Sequence, residues 1–146
     1  MLFQDCICFQ LGALSRKITR TYKDTVASMG LTHGQFFMLI VLYDEDGLLP
    51  SRLADKAALD RPTTTGLLDR LERDGWIERR FDQADRRTVP IHLTPKALEQ
   101  RAAILSIYEE INGRFLKKYS SEEWLQLQSL LKRLENGESR PSLSAG

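Results

Sequence analysis

Ile7, Leu11, Leu14, Ile18 and Val26 recur at helical spacing, so the chain opens with a long amphipathic helix that Gly30 ends. Thr32 and Gln35 form a capping-box pattern ahead of the apolar run FFMLIVLY, a second helix that DEDG breaks. Pro50 begins a short third helix, SRLADKAAL, with Leu53, Ala54 and Ala57 inward. Asp60 reads as an N-cap and Pro62 sits in the first turn, where no hydrogen bond is forfeited. A fourth helix therefore runs to about Asp74, with Gly75 just past its end. There the period changes. WIERRF and TVPIHL have the β-branched and aromatic content of strands, joined by DQADRR. Pro90 cannot donate to a ladder and marks the second strand as an edge. Thr94 and Pro95 restart helix, with Leu98, Ala102, Leu105, Tyr108, Ile111 and Phe115 three or four residues apart. Ser120 with Glu123 caps a last helix carrying Leu127, Leu130, Leu131 and Leu134.

This order predicts a mainly α protein with a small two-stranded β wing. Residues 30–95 form a winged helix-turn-helix, flanked by long amphipathic helices in 1–29 and 96–136. The whole is one domain, 1–136, followed by a small, polar tail, 137–146, expected to be flexible.

Composition removes several function classes. The net charge is +1, so an electropositive face must come from local clustering. The longest apolar run, Phe36 to Tyr43, is too short to span a bilayer. The start, MLFQDCICFQ, has an acidic residue and no basic region, so no membrane partner and a cytoplasmic location are expected. Cys6 and Cys8 are too close in sequence for a good structural disulfide. His33 and His92 lack ligand-like spacing to them or to each other, so no metal or cofactor is expected. There is no glycine-rich phosphate loop, nucleophile elbow or HExxH, and hence no catalytic site.

The fourth helix carries the informative pattern. Thr64, Leu67, Leu68 and Leu71 lie on one face and must pack inward. Arg61, Pro62, Thr63, Thr65, Gly66, Arg70 and Arg73 are left on or near the outside. The second helix of a helix-turn-helix enters the major groove N-terminus first, where arginine pairs with guanine and threonine offers a methyl or hydroxyl. Gly66 lets the backbone approach a duplex closely. Arg86 and Arg87 sit at the hairpin tip, suited to a minor groove, and Asp85 beside them is placed to hold Arg87 by a salt bridge. A winged helix used only for protein interaction would present an acidic outer face. Asp69 here is offset by Arg61, Arg70 and Arg73.

LLDRLERDGWIERR, the wing DQADRRTVPIHLT and the long helix after it resemble the MarR family of bacterial transcription regulators, over about residues 7–135. Asp85 and Arg87 match the family's wing Asp and Arg, whereas Ala97 stands where the family usually has Gly. The resemblance implies a homodimer, paired through the dimerisation helices of 1–29 and 96–136 and bound to a pseudo-palindromic operator in double-stranded DNA. It also implies a small-molecule or oxidant signal that releases the protein. The leading expectation is a repressor released by a small aromatic or phenolic ligand in a crevice lined by Arg16, Arg20, His33, Phe37 and Trp76. Cys8–Phe9 also resembles the family's hydroperoxide-sensing branch, with Tyr22 at one of the branch's tyrosine positions. Gly12 and His33 stand at the other two, and His33 is able to stand in as a donor. The alternative is therefore a peroxide- or electrophile-sensing repressor using Cys8, Tyr22 and His33.

Overall fold

Residues 2–85 and 87–137 are described by the computed structural model. They build α1 (Ile7–Val26), a 3-10 turn (Ala27–Met29), α2 (His33–Asp44), α3 (Pro50–Ala57), α4 (Arg61–Arg73), β1 (Ile77–Arg79), β2 (Ile91–Leu93), α5 (Pro95–Glu99), α6 (Arg101–Leu116) and α7 (Ser121–Asn136). The protein is mainly helical with a two-stranded antiparallel sheet, in which Ile77 faces Leu93 and Arg79 faces Ile91. Among the described residues, no single helix is long and apolar enough to cross a membrane. Arg86 and the tail from 138 on, both given roles from sequence, lie outside the described residues.

Local signals account for most element ends. Thr32 and Gln35 satisfy each other's backbone amides at the start of α2, and Ser120 and Glu123 do the same for α7. Asp60 caps α4, and Thr94 caps α5. Gly30 and Gly75 take the left-handed conformation that ends the preceding helical segments.

The chain divides within α6 into two compact units, residues 1–109 and 110–146. In the first, the lower half of α1 packs on α2. Val26, Phe36, Leu39, Leu42, Leu53, Leu68, Leu71, Ile77, Ile91 and Ile104 are fully buried. α2 and α4 approach so closely that a Cβ on Gly34 would lie 2.9 Å from Leu67 Cδ2. In the second unit, α7 buries no residue: Leu125, Leu127, Leu130, Leu131 and Leu134 are all exposed. The upper half of α1 is similar, with Ile7, Leu11 and Leu14 exposed.

Two expectations change. The second strand is not an edge at Ile91, because Ile91 pairs with Leu48 on the side away from β1. Ile91 N donates to Leu48 O at 2.8 Å, and Gly47 N to Ile91 O at 3.0 Å. Pro90 is tolerated because it precedes this pairing and contributes only its carbonyl, which accepts from Arg80 N at 3.1 Å. Second, the helix expected from Pro95 onward breaks at Gln100, and the buried positions are Ala97, Ile104 and Ile111. Leu98 and Ala102, from the expected stripe, are exposed. A sequence with several apolar positions per turn does not say which of its faces the neighbours will cover.

The turn between α3 and α4 has one conformational cost. Ala58 sits at φ 52°, in the left-handed region, so that Leu59 N can return to Ala54 O at 3.0 Å. That conformation costs a non-glycine residue roughly 1–2 kcal/mol, partly offset by the greater freedom glycine has when unfolded. Ala58→Gly is expected to stabilise the fold by about 0.5–1 kcal/mol, read as a rise in thermal midpoint. A fall would mean that the turn carries no such strain.

Candidate nucleic-acid interface

α4 presents two unlike faces. Thr64, Leu67, Leu68 and Leu71 are buried, as their spacing requires. Arg61, Pro62, Thr63, Thr65, Arg70 and Arg73 are exposed, and Gly66 is half-buried. A Cβ on Gly66 would meet only the far end of Arg70, at 3.7 Å. Among the described residues, nothing in the packing requires a glycine there.

The start of α4 is organised by Asp60. Its Oδ1 accepts from Thr63 N at 2.7 Å, and its Oδ2 accepts from the Thr63 hydroxyl at 2.9 Å. The Thr64 hydroxyl donates back to Asp60 O at 2.9 Å. The Thr63 proton is therefore committed, and this residue faces outward with its methyl and its acceptor lone pairs. Among the described residues the Thr65 hydroxyl has no partner, so it can donate. The bonds from Thr63 hold the Asp60 carboxyl below the usual aspartate value of 3.8. Its stabilising effect is present above that value and is lost as pH falls through the lower folded one.

The acidic groups nearby are largely spent on internal contacts. Arg79, on β1, reaches across to α4, with Nη2 2.7 Å from Asp69 Oδ1 and Nη1 2.9 Å from Glu72 Oε1. Its backbone N also donates to Glu72 Oε2 at 3.2 Å. Burial opposes the Arg79 charge, but the bonds to Asp69 and Glu72 outweigh it and raise its pKa. This clamp ties the wing to α4, and it also neutralises Asp69, the acidic residue that shares the helix with Arg61, Arg70 and Arg73. Arg73 pairs instead with Asp74, at 3.1 Å. Arg61 and Arg70 make no ion pair among the described residues; Arg70 only donates to Gly66 O, at 3.2 Å.

At the wing, Asp85 and Arg87 pair as expected, with Arg87 Nε 3.3 Å from Asp85 Oδ1. Asp85 Oδ1 also accepts from Arg87 N at 3.0 Å, and its Oδ2 accepts from the Thr88 hydroxyl at 3.1 Å. These bonds, led by the Arg87 amide, lower the Asp85 pKa and keep it ionised at neutral pH. The Arg87 side chain is 93% exposed, so the pair aims the guanidinium without burying it.

The other expected sites are more scattered. Phe37 lies 4.9 Å from Tyr22, ring to ring, and both join Phe36 in an aromatic cluster. Trp76 is buried, with Lys96 Nζ 4.5 Å from its ring centroid. Arg16, Arg20 and His33 are exposed on α1 and at the start of α2. Cys6 and Cys8 are free and exposed. Cys8 and Tyr22 lie 14 residues apart on one straight helix, about 21 Å at 1.5 Å per residue. They cannot meet within one chain. Burial, and then Tyr108, raise the Tyr22 pKa, so its phenol stays protonated. At the position of the branch's first tyrosine, the Arg16 guanidinium fills the space: a Cβ on Gly12 would be 3.2 Å from Arg16 Nη1.

A helix-turn-helix with an outward polar helix and an arginine-tipped wing defines a winged-helix nucleic-acid binder. Residues 31–89 match the MarR family. The organic hydroperoxide resistance transcriptional regulator of Bacillus subtilis (strain 168) is 32% identical over 131 residues, covering 90% of this chain and 88% of that protein. The HTH-type transcriptional regulator MgrA of Staphylococcus aureus is 31% identical over 126 residues, covering 86% and 84%. The crystal structure of an S. aureus MepR–DNA complex superposes with a TM-score of 0.83 at 25% identity, covering 90% of this chain and 98% of that one. The chain belongs to the MarR family, and is a winged-helix, DNA-binding transcriptional regulator rather than an enzyme.

The Arg79 clamp lends itself to a direct test. Arg79→Ala leaves Asp69 and Glu72 without their partner beside the outward face of α4. Stability is expected to fall by about 1 kcal/mol. DNA affinity should fall further than the unfolded fraction explains, because unpaired carboxylates repel phosphate. Unchanged affinity in a folded Arg79→Ala protein would refute the neutralising role.

Proposed function

We propose that the chain is a cytoplasmic repressor that binds a pseudo-palindromic operator as a homodimer and is released by a small aromatic or phenolic effector. The observation that carries the DNA reading is the outward face of α4. Its Arg61, Thr63, Thr65 and Arg70 are exposed beside a Gly66 that the fold itself does not need. The N-terminal turns enter the major groove, where Thr63 offers a methyl and acceptors and Thr65 a hydroxyl donor. Arg87, aimed by Asp85, enters the adjacent minor groove. The exposed leucines of α7 and the exposed apolar residues of upper α1 supply the dimer surface. An obligate interface of that kind buries roughly 2,000 Å² or more. The crevice residues named above, Arg16, Arg20, His33, Phe37 and Trp76, are the sequence-based choice for the effector.

A second reading is favoured by the exposure of Cys8 and by the likeness to a hydroperoxide resistance regulator. Here a hydroperoxide oxidises the Cys8 thiolate to a sulfenic acid and is itself reduced to the alcohol. Because Tyr22 of the same chain is out of reach, a Tyr22 phenol near Cys8 comes from the partner protomer. Cys6 is the N-cap of α1, with extended rather than helical backbone, and lies just outside the helix that carries Cys8.

Selection from random duplex DNA is expected to enrich a two-fold sequence with half-site centres about 10 bp apart. Arg87→Ala should weaken all selected sites alike. Gly66→Ala separates the roles: the fold gains about 0.5–1 kcal/mol from better helix propensity, while operator affinity falls. No enrichment, or a Gly66→Ala protein that binds as well as the wild type, would count against this docking.

The two signals are distinguished by one comparison. Under the effector reading, cumene hydroperoxide releases the operator equally from wild type and Cys8→Ser, or from neither. Release from wild type alone establishes the thiol reading.

A further inference from the structure

Phe81 is 71% exposed on the wing, two residues past the end of β1. The register of β1 and β2, with Ile77 facing Leu93 and Arg79 facing Ile91, continues beyond both strands. Arg80 N donates to Pro90 O at 3.1 Å and Asp82 N to Thr88 O at 3.2 Å, so Phe81 faces Val89 between these bonds. Opposed residues between two hydrogen-bonded pairs bring their side chains closest, on one side of the hairpin.

Strand alternation decides which side that is. Ile77, Arg79 and Phe81 share a face with Leu93, Ile91 and Val89. At its base this face is core, since Ile77, Ile91 and Leu93 are buried. One step out it is Arg79, which reaches Asp69 and Glu72 on α4. A further step, about 7 Å along an extended chain, brings Phe81, which α4 no longer covers. Its charged neighbours are turned elsewhere. Arg80 pairs with Glu78 on the opposite face, and Asp82 accepts from Ala84 N at 2.8 Å. An exposed ring and a half-buried valine therefore stand between the clamp on α4 and Arg87 at the wing tip.

We propose that Phe81, with Val89 opposite it, packs on the deoxyribose edge of the operator strand that separates the groove entered by α4 from the groove entered by Arg87. This rests on the docking proposed above, in which one strand of the duplex must pass between helix and wing tip. Such a strand is anionic along its phosphates and apolar along the C–H edges of its sugars. Arg87 suits the negative groove beside it, and the uncharged pair suits the sugars. Size speaks against a protein occupant. A phenylalanine buries roughly 150–250 Å², whereas a specific protein interface buries more than about 1,000 Å². The patch is small by itself and continuous with the wing's DNA-facing tip. Because Phe81 stands on the flank of the hairpin and not at its end, it touches backbone without entering the base stack. It therefore reads the path of the strand, and favours operators whose shape brings that strand onto the ring.

The test uses the full-length protein and the duplex it enriches most from random DNA. Affinity is measured across a salt series for wild type, Phe81→Ala, Phe81→Leu, Arg87→Ala and the Phe81→Ala/Arg87→Ala double variant. Phe81→Ala is expected to bind about tenfold more weakly at every salt concentration, with the salt slope unchanged because no charge is lost. Phe81→Leu should recover most of the loss, whereas Arg87→Ala should lower the slope by about one. The double variant should bind more weakly than Arg87→Ala alone; equal binding means that Phe81 acts only by placing Arg87, and overturns the contact. Hydroxyl-radical cleavage, which attacks deoxyribose hydrogens, should show protected sugars between the two grooves in wild type and not in Phe81→Ala. Undiminished affinity or unchanged sugar protection in Phe81→Ala overturns the proposal. So does a changed sedimentation coefficient of free Phe81→Ala, which gives this face to a second copy of the chain. If the wild type enriches no duplex, or Arg87→Ala binds as wild type does, the docking itself fails, and the Phe81 contact with it.

Discussion

Burial of Leu67, Leu68 and Leu71 sets the rotation of α4 about its own axis, and the outward chemistry follows from that rotation. Each such side chain contributes roughly 1.5–3 kcal/mol when fully removed from water, far more than any exposed contact of the helix. Turning α4 to bring another face outward would forfeit that row. It would also drive Leu67 from the space that Gly34 leaves for it on α2. With the leucines held, Arg61, Thr63, Thr65 and Arg70 must face solvent.

Electrostatics is then a matter of which charges remain free. A chain with net charge +1 has no general attraction to a polyanion. The fold makes a local one by spending its acids internally. Asp60 caps α4 and holds the Thr63 hydroxyl, Asp69 and Glu72 share Arg79, and Asp85 aims Arg87. These contacts do different structural jobs, yet each removes a carboxylate from competition with phosphate. Among the described residues Arg61 and Arg70 are left without an ion pair, and Arg87 is held but open to solvent.

The surfaces outside the winged helix carry the regulatory proposals. Upper α1 and α7 keep apolar residues exposed, which is the state of a surface awaiting a partner. The length of α1 makes any Tyr22-assisted chemistry at Cys8 an intermolecular matter.

Much of this was legible from residue order, because it depends on neighbours a few positions apart. The capping boxes at Thr32 and Ser120, the Asp60 cap, the inward face of α4 and the Asp85–Arg87 pair all follow from local spacing. Other features join residues that no period relates. Arg79 finds Asp69 and Glu72 only because β1 folds back along α4, and Ile91 finds Leu48 only because a distant loop passes β2. Gln100 breaks a helix whose apolar positions suited more than one face, and the covered face became Ala97, Ile104 and Ile111. Short-range hydrogen bonds and periodicity are written along the chain. Which faces meet, and which charges cancel across them, is decided by packing in three dimensions.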